Sequence, residues 1–355
     1  MTLSIFLMIG GGLVGLVVAA HWLVEGAARL GQRIGISAII IGLTMVAFGT
    51  SAPELAVSLR AGFSGSADIA VGNIVGSNIF NILLILGLSA VILPLAVHAD
   101  VLKRDLPLMI GVAALAWLMA VDGRISTPDG LLLTAILAAY LGWLVMAVRK
   151  GRAELDPEAQ EAAQKKPRAL WIDLLSVVAG IGGLVLAADF LVTGSVELAR
   201  LLGVSELVIG LTIVSLGTSL PELATSLMAA IKGERDIAVG NIVGSNLFNI
   251  LSVLGLTALI APGGLLISAQ AIALDFPVMV AVSLLCVPIF FIGLRISRAD
   301  GAMMLLLLAG YLSVLVLLAR GQLFSTAAIW QIGAAAAIFV LLVQGGSVLR
   351  VRASQ

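Results

Sequence analysis

The chain of 355 residues is short of nearly everything a soluble enzyme uses for chemistry. It has one cysteine, Cys286, inside an apolar run, which excludes a disulfide framework and reads as a small core residue. Its two histidines, His21 and His98, stand far apart in no metal-ligand spacing, and both read as segment-end residues. No HExxH, no serine–histidine pairing and no cofactor motif occurs, so an enzyme ranks last among the function classes and no cofactor is expected. Charge is equally scarce. Only 11% of residues are Asp, Glu, Lys or Arg, where soluble domains carry roughly 25%. The charges sum to zero, which argues against nucleic acid as a partner. Long polar runs are missing too, with the single exception of Arg149 to Arg168, which is too short for a folded domain and reads as a solvated linker.

What is present is apolar. Hydrophobic residues make up 61% of the chain and the mean hydropathy is +1.17, values that place it in the bilayer as an all-α multi-pass membrane protein. Runs of about 20 apolar residues predict helices over 3–24, 36–60, 69–92, 106–121 and 129–148, then 170–192, 204–230, 237–260, 272–293 and 302–319. An eleventh is predicted over 325–344. The apolar N-terminus lacks the basic region of a signal peptide, so it is read as a mature helix. With the N-terminus outside, sixteen lysines and arginines fall on the inner side and four on the outer, the bias of a cell (inner) membrane protein with a cytoplasmic linker at 149–168.

An ungapped internal repeat organises the chain. Gly42 to Leu88 and Gly210 to Leu256 share 33 of 47 positions. Five helices precede the linker, and five is odd, so the second half enters the membrane upside down. The expected architecture is an inverted-topology repeat of 5+5 transmembrane helices plus an extra C-terminal helix: 1–148, the linker 149–168, 169–321, and a tail 322–355. Secondary transporters are often built this way, with substrate sites near the midplane where the halves meet.

The repeat also carries the candidate chemistry. Each copy holds one acid in an apolar run directly after a proline, Glu54 and Glu222. Acids at that depth are costly and are functional-site candidates by default. Pro53 and Pro221 break their helices, which is expected to free carbonyls around Ala47 to Thr50 and to add them to the hydroxyls of Thr50, Ser51, Ser215, Thr218 and Ser219. Asn73, Ser77 and Asn81 fall at i, i+4 and i+8 on one helix face, and Asn241, Ser245 and Asn249 repeat the stripe. For Asn73, Asn78, Asn241 and Asn246, interhelical hydrogen bonding is as good a reading as site lining. Asp105 and Asp275 are read as structural acids near helix starts, and Asp68 and Asp236 as caps. An all-oxygen set with two carboxylates suits hard cations such as Ca2+. It is neutralised equally by one Ca2+, two Na+ or two H+, so an empty site is costly in the bilayer and exchange is favoured.

In GTSAPE with GTSLPE, and GNIVGSNIFN with GNIVGSNLFN, the sequence resembles the sodium/calcium exchanger family of calcium:cation antiporters. The resemblance implies that the first and sixth helices slide as a gating pair, and that Ca2+ and Na+ are substrates. It implies a divalent site of Thr50, Glu54, Thr218 and Glu222. Flanking sodium sites would use the Ala47 and Ser215 carbonyls, Ser51, Ser77, Ser219 and Ser245, with Asn81 and Asn249 close by. Sodium-coupled members carry an aspartate where this chain has Asn249, which leaves the site with two carboxylates. The expected function is Ca2+/Na+ antiport by alternating access. The alternatives are proton-coupled Ca2+ antiport and, in a different class, a passive cation channel, which would carry flux without any counter-ion gradient.

Overall fold

In hydrocarbon every backbone N–H and C=O must be satisfied within the segment, so the apolar runs have the helix as their only stable state. The computed structural model describes residues 2–34, 36–149, 169–202, 215–291 and 294–319. The first half comprises α1 (Thr2–Ile34), α2 (Ala38–Thr50), α3 (Ala52–Phe63), α4 (Ala67–Ile92), α5 (Leu106–Ala120) and α6 (Thr127–Arg149). The second comprises α7 (Leu170–Leu201), α8 (Ser215–Thr218), α9 (Leu220–Ile231), α10 (Arg235–Ile260), α11 (Ala271–Phe291) and α12 (Arg298–Ala319). Among the described residues seven helices are long and apolar enough to cross a membrane, or eight with α2 and α3 taken as one broken span. The two remaining positions of the expected ten are held by α5, whose lead-in turn carries Lys103, Arg104 and Asp105, and by α8 with α9. The expected helix at 325–344 and the polar segment from 150 lie outside the described residues.

Two small strand pairs fix the relation of the halves. β1 (Leu95–Ala96) follows α4 and pairs antiparallel with β4 (Arg295–Ile296), which precedes α12. β2 (Arg124–Ile125), between α5 and α6, pairs with β3 (Leu265–Leu266), between α10 and α11. A loop after the third helix of one half can meet a loop before the fifth helix of the other only if the halves are inverted. The protein is therefore an inverted repeat, clasped once at each end.

The motif helices α4 and α10 lie at the centre, with 78% and 89% of their apolar stretches buried, against 28% for α1 and for α7. Those two long helices instead pack on each other and turn residues such as Leu7, Val14, Leu175 and Leu186 outward to lipid. Small residues let them approach: a Cβ at Gly180 would sit 2.7 Å from Leu23 Cβ, and one at Gly183 would sit 2.9 Å from Ala19 Cβ. Gly180→Ala is expected to destabilise the protein by about 1–3 kcal/mol through overpacking. Gly11→Ala, with nothing within 4 Å, should be silent. Thermal unfolding in detergent compares the two.

Several local expectations are corrected. α1 runs to Ile34 rather than 24, because the residues past the apolar run are held in helical register by Glu25, which lies 3.2 Å from His21 Nε2 and forms an ion pair with Arg29 (2.8 Å). His21 is therefore inside a helix, not at its end. At 33 residues α1 is roughly 50 Å long, well beyond a hydrocarbon core of about 30 Å. Asp105 directly precedes α5 and Asp275 closes the π-helical turn that opens α11, so both stand near helix starts as expected, but neither acts through the helix end alone. They are also held by side chains: Asp105 pairs with Arg104 (2.7 Å) and accepts from Tyr140 (3.0 Å), and Asp275 accepts from Tyr311 (3.0 Å). Asp68 and Asp236 stand in first turns but make no capping hydrogen bond, and Asp236 meets His98 at 3.2 Å.

Candidate cation site

Each broken helix is interrupted at one serine. Ser51 (φ −80°, ψ 6°) separates α2 from α3 with a bend of 44°, and Ser219 (φ −88°, ψ 5°) separates α8 from α9. Pro53 and Pro221 sit in the first turn of the restarted helix, where an N–H has no intrahelical partner and its loss costs nothing. The break is tighter than the sequence suggests. The Ala47 carbonyl is not freed, because it accepts from the Ser51 N–H (3.0 Å) and lies 3.3 Å from Thr50 Oγ1. Ser215 opens α8, and its side chain lies outside the described residues.

Ahead of the break α2 crosses α10 with the backbones in contact, since a Cβ on Gly240 would stand 2.7 Å from the Ile39 carbonyl oxygen and 3.1 Å from Leu43 N. Glycine is required there on steric grounds. Two asparagines then staple the halves. Thr50 Oγ1 lies 3.2 Å from Asn241 Oδ1, and Thr218 Oγ1 lies 3.0 Å from Asn73 Oδ1. The Asn73 amide donates to Ser58 Oγ (3.0 Å) and the Glu54 carbonyl (3.3 Å), and Asn241 donates to Ser226 Oγ (2.9 Å) and the Glu222 carbonyl (3.5 Å). Of the two readings for Asn73 and Asn241, the geometry favours structural hydrogen bonding. Ser58 and Ser226 were missed from the sequence, although each recurs four residues after its glutamate.

Between the staples lie the acids, both buried: Glu54 is 0% and Glu222 1% exposed. Each receives a hydroxyl from the opposite half. Ser51 donates to Glu222 Oε1 (3.2 Å), and Ser219 lies 3.4 Å from Glu54 Oε1 and 3.0 Å from Ser77 Oγ. Ser77 Oγ is 3.5 Å from the same Glu54 oxygen. Among the described residues no lysine, arginine or histidine pairs with either carboxylate. α4 and α10 widen into a π-helical turn at Asn81 and at Asn249 respectively. These asparagines meet the other half: Asn81 Nδ2 donates to Asn246 Oδ1 (3.4 Å) and Asn249 Nδ2 to Asn78 Oδ1 (3.5 Å).

Buried oxygens remain without a partner at this crossing: Glu54 Oε2, Glu222 Oε2, Asn81 Oδ1, Asn249 Oδ1 and Ser245 Oγ. Unmade hydrogen bonds of buried groups cost about 1–3 kcal/mol each, and more for ionised ones. A pair of desolvated carboxylates needs a cation or a proton to be tolerated at all. Oxygen-only partners without sulfur or nitrogen suit a hard ion.

Two inverted halves, broken helices back to back and a buried acidic crossing are the architecture of a secondary membrane transporter rather than of an enzyme. The comparisons agree. The sodium/calcium exchanger protein family model matches residues 4–146 and 172–317. Inner membrane protein YrbG of Escherichia coli is 43% identical over 282 residues, 77% of this chain and 85% of YrbG. Sodium/calcium exchanger MaX1 of Methanosarcina acetivorans is 32% identical over 345 residues, covering 87% of this chain and 98% of MaX1. Among solved structures, the sodium-calcium exchanger NCX_Mj soaked with 2.5 mM Na+ and 10 mM Sr2+ superposes with a TM-score of 0.76 at 31% identity, over 88% of this chain and 99% of that one. The chain belongs to the sodium/calcium exchanger family.

Proposed function

We propose that the protein exchanges Ca2+ for Na+ across the membrane by alternating access. One observation carries the reading: the unpartnered oxygens of Glu54, Glu222, Asn81, Asn249 and Ser245 are buried between the halves, where only a bound cation or proton would satisfy the acids. The divalent site is assigned to Thr50, Glu54, Thr218 and Glu222, the threonines through their carbonyls because their hydroxyls are engaged by Asn241 and Asn73. Sodium is assigned to flanking positions among Ser51, Ser77, Ser219, Ser245, Asn81, Asn249 and the Ser215 carbonyl, without the Ala47 carbonyl, which the Ser51 N–H already occupies. The names of MaX1 and NCX_Mj, both sodium/calcium exchangers, support Na+ as the counter-ion.

The repeats are taken as 1–148 and 169–321, and α1 with α7 as the sliding pair whose glycine-lined contact moves between states. The excess of inner lysines and arginines supports an N-terminus outside and a cytoplasmic linker at 149–168. YrbG, named an inner membrane protein, supports the same membrane here.

The test uses purified protein in liposomes loaded with Na+ and diluted into Na+-free buffer containing Ca2+. Uptake that follows the Na+ gradient is the expected result. Uptake driven by a proton gradient alone would transfer the assignment to proton-coupled antiport, since two protons balance two carboxylates as well as two Na+ do. Ca2+ flux indifferent to both gradients would sink antiport altogether.

A further inference from the structure

Behind each site asparagine a chain of polar groups runs back to a methionine. On one side Asn78 Nδ2 lies 3.6 Å from Met279 Sδ, and Asn249 Nδ2 donates to Asn78 Oδ1 at 3.5 Å. On the other, Asn246 Nδ2 lies 3.6 Å from Met109 Sδ, and Asn81 Nδ2 donates to Asn246 Oδ1 at 3.4 Å. All six side chains are at most 2% exposed, so water does not compete. Both chains cross between halves: Met279 and Asn249 belong to the second repeat with Asn78 from the first, and the mirror set reverses this.

The direction of each chain follows from elementary chemistry. A thioether has lone pairs and no hydrogen, so it only accepts. The carboxamide facing it must present its NH2, which sends that amide's oxygen the other way. The next amide must then donate to this oxygen, and its own oxygen is left over. In both halves the oxygen left over, Asn249 Oδ1 and Asn81 Oδ1, is buried without a partner. Turned about, either terminal amide would offer N–H groups to a cation and repel it.

We infer that Met109 and Met279 are positioning residues of the cation site, which act through Asn246 and Asn78 to hold the carboxamides of Asn81 and Asn249 with their oxygens toward the ion. The sequence carries a trace of this role. Asp105-Leu-Pro-Leu-Met109 and Asp275-Phe-Pro-Val-Met279 preserve the spacing of aspartate, proline and methionine. A methionine that only fills volume is replaced by leucine at little cost, which makes leucine the discriminating substitution. The inference rests on the reading of this crossing as a cation site.

The experiment measures Ca2+ binding calorimetrically, and the KM and maximal rate of Ca2+ uptake, for wild type, Met109→Leu, Met279→Leu and Met279→Gln. Each leucine variant is expected to raise the Kd and KM for Ca2+ about five- to tenfold, the worth of one oriented hydrogen bond, with the maximal rate nearly unchanged. Glutamine, whose Oε1 restores an acceptor at similar reach, should stay within about threefold of wild type. Leucine variants that bind Ca2+ as wild type does, or a glutamine variant that loses as much as leucine, overturn the positioning role. Wild-type protein that binds no Ca2+ overturns the cation site itself. The two methionines serve opposite halves, so one well-folded leucine variant suffices.

Discussion

Glu54→Gln and Glu222→Gln are each expected to cut Ca2+ uptake by about 100-fold or more, and at the same time to raise the melting temperature of the ion-free protein. The two effects have one cause. Each carboxylate is buried, receives hydroxyl hydrogen bonds from the opposite half, and keeps one oxygen unpartnered. Removing one charge from a low-dielectric site that holds a divalent cation forfeits several kcal/mol of attraction, and about 2.7 kcal/mol already corresponds to 100-fold. Without the ion, the buried carboxyl must either stay charged at a desolvation cost or take up a proton, and glutamine removes both costs while still accepting from Ser219 or Ser51. Ca2+ at 100 times its Kd should stabilise wild type by about 2.7 kcal/mol, and this gain should vanish in both variants. Melting curves with and without Ca2+, beside liposome uptake, read both effects. A variant that transports normally would remove its acid from the site, and one that melts lower without Ca2+ would mark it as a structural partner.

Asn249→Asp is expected to make exchange sensitive to membrane potential where the wild type is not. With Asn81 and Asn249 both neutral, the crossing holds two carboxylates, which one Ca2+ or two monovalent ions balance. Such a cycle moves no net charge. A third carboxylate calls for a third monovalent ion, and one charge then crosses per Ca2+. One charge through 100 mV is worth about 2.3 kcal/mol, so the Ca2+ gradient at equilibrium should shift by about 50-fold per 100 mV. Clamping liposomes with potassium gradients and valinomycin, at a fixed Na+ gradient, reads the shift directly. Voltage dependence already present in wild type would show that the two glutamates do not set the charge carried.

The site and its surroundings were unequally legible. Glu54 and Glu222 announce themselves because an acid in an apolar run is expensive, and the duplication pairs every residue of one motif with a partner in the other. Met109 and Met279 do not, since a methionine in an apolar helix looks like any core residue until its sulfur is found beside an amide. The break at Ser51 was foreseeable from Pro53, but its sharpness was not. Whether the Ala47 carbonyl is free depends on where Ser51 N–H points, a matter of one backbone torsion.

Composition and the internal repeat together determined that the chain is a bundle of membrane helices in two inverted halves, because apolar length dictates helices and an odd helix count in a duplicated unit dictates inversion. What only the tertiary structure decided is which half answers which. Ser51 stands three residues from Glu54, and sequence distance would pair them. In the fold, Ser51 donates to Glu222 while Ser219 faces Glu54. The reason is symmetry: a two-fold relation between near-identical halves sets each motif against its counterpart where they cross, and no reading along one chain distinguishes a neighbour within a copy from the same residue in the other.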